Sequence, residues 1–210
     1  MTQAIGSEPR YRDGMNVCER AVKRLFDFTV SLAGLVLFSP FLLYIAVRVR
    51  CSGGPVIYRQ ERIGLGGKPF TILKFRTMPP DYEQDGVPQL AVRCGGEQTG
   101  FQRFLREHHF DELPQLWNIL AGDMSFVGPR PERRYFIDLI MQRNPDYEYI
   151  YLMRPGLTSA ATIYNGYTDT MEKMLVRLQM DLNYLQRRSL ATDLGILFTT
   201  AKYVFHGKKI

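Results

Sequence analysis

The chain has 210 residues, 45% of them hydrophobic, which suits a globular or membrane-associated protein with one well-buried core and excludes a chain disordered as a whole. Its 27 Lys and Arg exceed its 21 Asp and Glu, for a formal charge of +6 that favours anionic partners: nucleic acid, anionic lipid or phosphorylated substrates. Cys18, Cys51 and Cys94 are odd in number and form no CxxC or Cys/His cluster, so free thiols in a reducing compartment are expected, not zinc or a disulfide framework.

Residues 1–16 are polar with Gly and Pro and read as a flexible tail. Leu25 to Val47, "LFDFTVSLAGLVLFSPFLLYIAV", is long enough to cross a bilayer core, which takes about 20 apolar residues. It starts too far in for a signal peptide and lacks a small-residue cleavage site. Arg20, Lys23 and Arg24 precede it, and Arg48, Arg50, Arg59 and Arg62 follow it. Both flanks therefore favour the cytoplasm, which a straight span cannot satisfy. Ser39-Pro40 offers a bend, since proline removes an amide donor and the serine hydroxyl can bond a freed carbonyl. Pattern alone leaves open a re-entrant helix and a proline-kinked transmembrane span. Asp27 is expected at the interface and not in hydrocarbon.

"CSGGP" then breaks the chain, and "VIYRQERIG" and "KPFTILKFRTM", separated by "LGG", predict a β-hairpin. Arg59, Arg62, Lys68, Lys74 and Arg76 give it a basic surface, which a solvated edge would equally explain. "PPDYEQDGVPQ" reads as a loop. Helical spacing resumes at Thr99, and a second helix is expected near Asp111 with Pro114 in its first turn. Adjacent His108 and His109 fit a helix-surface pair better than a metal site. "RPERRYFIDLIMQRN" predicts a helix begun by Pro131. Thr168 to Arg188 carries one apolar stripe, and Asp193 to Lys202 opens a last amphipathic helix. Such stripes serve a soluble core or a membrane surface.

The chemistry concentrates in "HHFDELPQLWNILAGDMSFVGPRPE", His108 to Glu132. Adjacent acids cannot flank a glycosidic bond from opposite sides. At a helix start, however, Asp111 and Glu112 can converge on a hard cation such as Mg2+. There an ionised Asp111 beside a metal-held phosphate can act as a nucleophile. Arg106, and Arg130 between two prolines, can clamp phosphate oxygens. The bland alternative is an N-cap Asp followed by a dipole-favoured Glu, and the residues alone do not exclude it.

Read in order, "FSP", "KFRTM", "DELPQLWNIL.GDMSFVGPRP" and "RPGLT" resemble the bacterial sugar transferase family, small monotopic phosphoglycosyl transferases. The likeness runs from about Val17 to the C-terminus, without an extra multi-span or nucleotide-binding domain, as in the minimal member type. It implies transfer of a sugar-1-phosphate from a nucleotide diphosphate sugar, usually a UDP-sugar, to undecaprenyl phosphate, releasing UMP. By that resemblance Asp111 and Glu112 are the catalytic dyad and Mg2+ ligands, with Asp111 carrying the phospho-sugar covalently. Lys74, Arg106 and Arg130 would hold phosphate groups, and Ser39-Pro40 would break a re-entrant helix. One stretch departs: many members read "RPGITGWAQVNGR" where this chain reads "RPGLTSAATIYNGYTD". Ser159-Ala160 replaces Gly-Trp there and Tyr167 stands where Arg is frequent.

The expected fold is α+β and mostly helical: a re-entrant membrane helix over residues 17–50, then a membrane-associated catalytic domain over 51–210. That domain holds a short hairpin and amphipathic interfacial helices around a cytoplasmic active site. The expected setting is the cytoplasmic face of a bacterial inner membrane, with downstream glycosyltransferases as further partners. A non-catalytic membrane-surface module in the same pathway is the rival reading. Nucleic acid is not expected, since no helix-turn-helix, zinc-finger or aromatic RNA-binding signature accompanies the basic charge.

Overall fold

The computed structural model describes residues 10–78, 99–166 and 168–205. Asn16 opens α1 (Val17–Leu37) with a capping box: its side chain accepts from the Glu19 amide, and the Glu19 carboxylate accepts from the Asn16 amide. Helix α1 stops at Phe38, and α2 (Ser39–Cys51) leaves at a 64° bend. Pro40 has no amide to continue the ladder, and the Ser39 hydroxyl donates to the Val36 carbonyl at 2.8 Å. No single described helix is long and apolar enough to cross a membrane, but the bent pair together is.

The polarity of α1 is inverted. Its buried residues are Asp27 and Ser31, whereas Leu25, Phe26, Phe28, Val30, Leu32 and Val36 are exposed. The polar face is tied to the rest of the protein at three points. Lys23 pairs with Asp193 at 2.5 Å, and Arg24 donates to the Ile119 and Leu120 carbonyls at 2.6 and 2.8 Å. Asp27 accepts from the Phe126 amide at 3.1 Å.

After α2 the chain forms the expected antiparallel hairpin of β1 (Ile57–Ile63) and β2 (Pro69–Phe75), in register from Ile57 opposite Phe75 to Ile63 opposite Pro69. Its turn, Leu65–Gly67, requires Gly66 and Gly67 because both have positive φ, 67° and 71°. Thr99 and Gln102 then form a capping box for α3 (Gly100–Glu107). Short α4 (Gln115–Ala121) and β3 (Ser125–Val127) follow. Strand β3 pairs in parallel with β4 (Gly156–Thr158), and between them lie α5 (Arg134–Arg143) and a 3-10 stretch, Pro145–Leu152. Helices α6 (Ala160–Asn165), α7 (Met171–Arg187) and α8 (Leu190–Phe205) complete the fold.

Three apolar clusters hold these pieces. The largest joins α5, the 3-10 stretch, α7 and α8 through Ile137, Ile140, Ile150, Leu182, Leu185 and Ile196. Ile45 and Val49 of α2 meet Phe75 and Leu105 in a second. Ile72 of β2 meets Leu116, Ile119 and Met124 in the third. The second and third together clamp the hairpin between the membrane-type helices and the helices flanking Asp111. Each such side chain, fully buried, contributes roughly 1.5–3 kcal/mol.

Several expectations need correction. Residues 10–16 are not a loose tail: Tyr11 and Met15 are buried, and Asp13 is bonded by Arg188 and Arg20. Residues 1–9 lie outside the described set, as do Cys94, Tyr167 and the expected loop from Pro79 to Gln89. Pro131 does not begin a helix. It precedes Glu132, whose carbonyl accepts from the Ile63 amide at 3.0 Å, and α5 starts two residues later. The last helix begins at Leu190, three residues before Asp193. Asp27 is 2% exposed, bonded to protein backbone and not placed at a surface.

Candidate active site

Asp111 does not begin a regular helix. Helix α3 ends at His108, and His109 takes a left-handed conformation (φ 55°) that reverses the chain. Phe110–Glu112 then make one 3-10 turn, and α4 begins only after Pro114. A non-glycine residue at positive φ carries a conformational cost, so its neighbours must hold it. Here the Phe110 ring is the wedge: it meets Phe41 of α2 at 5.3 Å and stacks with His108 at 5.8 Å. The two histidines are thus a helix terminus and a reversal, not a pair on one helix surface.

The hairpin supplies the first cation. Lys74 on β2 donates to Glu112 Oε1 at 2.6 Å. Arg130 approaches the same oxygen to 3.8 Å while its side chain remains 41% exposed. Burial alone would raise the Glu112 pKa, but the charges of Lys74 and Arg130 outweigh it and hold the carboxyl well below its ordinary range. Asp111 shifts the other way. Burial, and then the negative charge of Glu112, push it up to about 6, against the pull of Lys74 and Arg106. The dyad therefore contains one firmly ionised carboxylate and one that is more basic yet still ionised at neutral pH. His109 is pushed down by burial, and Arg130 and Lys74 lower it further against the opposing pull of Glu112.

Arg130 is aimed by its bracket. The Pro129 carbonyl accepts from the Gly156 amide at 2.8 Å, and the Pro131 carbonyl accepts from Arg62 at 3.1 Å. Glu132 is held by Arg177 at 2.6 Å, with side chains 10% and 6% exposed, and by Arg62 at 3.5 Å. Gly128 and Gly156 make the strand contact possible: a Cβ on Gly156 would lie 2.1 Å from the Gly128 nitrogen.

All five residues singled out from the sequence thus belong to one neighbourhood: Lys74 and Arg130 on Glu112, Arg106 acting through its charge on Asp111. The hairpin's basic surface is only partly a surface. Arg59 and Lys68 are exposed, but Lys74 and Arg62 turn inward to acids and Arg76 is buried. The sequence reading gave His109 and Arg62 surface roles and did not single out Glu132 or Arg177. Arg177 and Asp181 did leave a signal, because they share the buried face of α7 with Met174, Leu178, Leu182 and Leu185. Charges at i and i+4 within an apolar stripe indicate buried partners.

Among the described residues no group of three or more His, Cys, Asp and Glu could hold a metal ion. The Asp111–Glu112 donor set nevertheless fits Mg2+, which typically takes one or two carboxylates and completes its shell with water and substrate phosphate.

The sequence profile of the bacterial sugar transferase family matches residues 18–207. The chain belongs to that family. It is 42% identical over 182 residues to a UDP-glucose:undecaprenyl-phosphate glucose-1-phosphate transferase of Caulobacter vibrioides, covering 85% of this chain and 67% of that protein. It is 36% identical over 187 residues to a UDP-N-acetylgalactosamine-undecaprenyl-phosphate N-acetylgalactosaminephosphotransferase of Aeromonas hydrophila, covering 89% of this chain but 44% of that protein. An exopolysaccharide production protein, PSS, of Rhizobium leguminosarum bv. phaseoli is 38% identical over 186 residues, which is 85% of this chain and 92% of that protein. The chain therefore spans less than half of some relatives and nearly all of another. Where many family members carry Gly-Trp after the "RPG" motif, Ser159 here is buried and caps α6, accepting from the Thr162 amide at 2.9 Å.

Proposed function

We propose that this bacterial sugar transferase is an enzyme that moves a sugar-1-phosphate from a UDP-sugar to undecaprenyl phosphate. This would be the first membrane step of a bacterial glycan such as a capsule, exopolysaccharide or O-antigen. The observation that carries the reading is the asymmetric dyad. Asp111 is basic enough to be a good nucleophile yet ionised at neutral pH, beside three cations suited to phosphate.

In the first step an Asp111 carboxylate oxygen attacks the β-phosphorus of the donor. The bond to the bridging oxygen breaks, and UMP leaves with the bonding pair. In the second step a phosphate oxygen of undecaprenyl phosphate attacks the same phosphorus, and the aspartyl bond breaks to restore the carboxylate. Lys74, Arg106 and Arg130 bind and orient the phosphates, and Glu112 keeps Lys74 and Arg130 in place. Mg2+ held by the dyad would supply neutralisation of diphosphate charge. Because Asp111 stores the phospho-sugar between steps, the soluble donor and the lipid acceptor never need to share the site.

A membrane setting rests on the inverted polarity of α1 and the apolar exposure that continues along α2 through Leu43, Tyr44 and Val47. An apolar surface of this extent marks a membrane or partner contact. With basic residues at both flanks, we read the bent pair as re-entrant, with both ends on the cytoplasmic face of the inner membrane. UMP release from a panel of UDP-sugars, with undecaprenyl phosphate and Mg2+, tests the activity. One donor should be active, and Asp111→Asn should abolish both its release and the covalent adduct. Release that survives Asp111→Asn removes Asp111 as the nucleophile.

A further inference from the structure

Arg76 is 6% exposed, and its Nε has no hydrogen-bond partner. No carboxylate pairs with it among the described residues, unlike Arg62, Lys74, Arg130 and Arg177, each of which meets an acid. A buried guanidinium without an anion is costly and is normally compensated. It extends β2 by one residue, its amide donating to the Val56 carbonyl at 3.0 Å. Strand alternation therefore puts it on the same side as Lys74, about 7 Å further along the chain.

What lies at that end is the exit of the membrane-type helices. Gly53 and Gly54 follow α2 with φ of 81° and 80°, and a Cβ on Gly54 would lie 2.2 Å from Arg76 Nη1. Glycine thus lets the guanidinium lie directly against the turn. Arg50 fixes that turn by donating to the Gly54 carbonyl at 3.0 Å. An anion at Arg76 would be one strand repeat from Lys74 and next to the apolar flank of α2.

We propose that Arg76, seated on the Gly53-Gly54 turn, binds the phosphate of the lipid acceptor, a phosphate monoester on a long apolar chain. This rests on the transferase reading for the identity of the acceptor. The apolar chain would lie along α2, and the headgroup would reach Arg76 before Lys74. The donor's diphosphate has the same phosphate chemistry, so the test separates the two.

The test measures direct binding to the full chain in nanodiscs, with no turnover required. The probes are a short-chain polyprenyl phosphate, the matching uncharged polyprenol, and the UDP-sugar. Arg76→Gln should weaken the polyprenyl phosphate roughly 10–100-fold, as expected for lost charge-assisted hydrogen bonds. Polyprenol and UDP-sugar binding should each change less than twofold. Unchanged polyprenyl phosphate binding overturns the inference, and so does an equal loss of UDP-sugar binding. If Arg76→Gln does not fold, Gly54→Ala displaces the guanidinium and is held to the same outcomes. UMP release by the wild type is scored separately, so a failed transferase reading is distinguishable from a failed Arg76 assignment.

Discussion

Glu132→Gln is a near-isosteric change that removes one charge from the buried knot behind Arg130. The Glu132 and Arg177 side chains, 10% and 6% exposed, meet at 2.6 Å, so solvent screens the pair little. Truncating one partner of a buried ion pair costs about 3–5 kcal/mol, and glutamine retains one acceptor for Arg177. The expected loss at pH 7 is about 2–3 kcal/mol, or roughly 5–10 °C in melting temperature for a chain of this length. The pH dependence has a definite sign. Burial would raise the Glu132 pKa, but Arg177 and then Arg62 overcome it and hold the carboxyl below its ordinary value. Its stabilisation is therefore present above the unfolded-state pKa of about 4.3 and fades as pH falls through the lower folded value. Melting of wild type and Glu132→Gln in detergent micelles between pH 3.5 and 8 measures the gap. It should be full at pH 7 and narrow towards the acid end. A gap under about 0.5 kcal/mol at pH 7, or one independent of pH, would refute the reasoning.

With no cation at the dyad Asp111 is pushed up to about 6, so in metal-free protein its carboxyl infrared band should titrate between pH 5 and 7 and be missing from Asp111→Asn; identical spectra of the two proteins across that range contradict this. Cys18 and Cys51 are both exposed, at opposite ends of the bent helix pair. In a Cys94→Ser background, single-cysteine versions should both react with an impermeant maleimide in inside-out vesicles and resist it in spheroplasts. Opposite sidedness would mean a span. Gly156→Ala drives a Cβ to 2.1 Å from the Gly128 nitrogen and should cost about 1–3 kcal/mol, with loss of activity through Arg130. Gly100→Ala, which meets nothing within 4 Å, should be neutral in the same melting assay.

The break at Ser39-Pro40 was legible because proline carries its constraint wherever it sits. The hairpin was legible from its alternation and glycine turn, and Asp111, Glu112 and Arg130 stood out as candidates within one contiguous block. What escaped is what depends on contacts distant in sequence. Whether Arg62 decorates an edge or locks a bracket depends on Pro131 and Glu132, about 70 residues away. The turn at Asp111 is not legible because histidine, though enriched among left-handed non-glycine residues, far more often takes ordinary backbone angles, so His109 alone does not announce a reversal. Only the packing of Phe110 against α2 and α3 makes that backbone affordable. Asp27 looked interfacial on hydropathy alone, since its backbone partner at Phe126 lies 99 residues ahead.

The ties of α1 bear on how the protein can be divided. Lys23, Arg24 and Asp27 do for the remainder of the chain what a cap does for a helix end. They satisfy Asp193, the last carbonyls of α4 and the amide of Phe126. A truncation that removes the membrane-type helices would therefore not release a soluble catalytic half. It would strip Asp193 of its cation, leaving it only the Tyr184 hydroxyl, and leave those backbone groups without their partners, beside the wall that carries Asp111. Any soluble version of this chain must keep the first turns of α1 and rewrite their outer, apolar face instead.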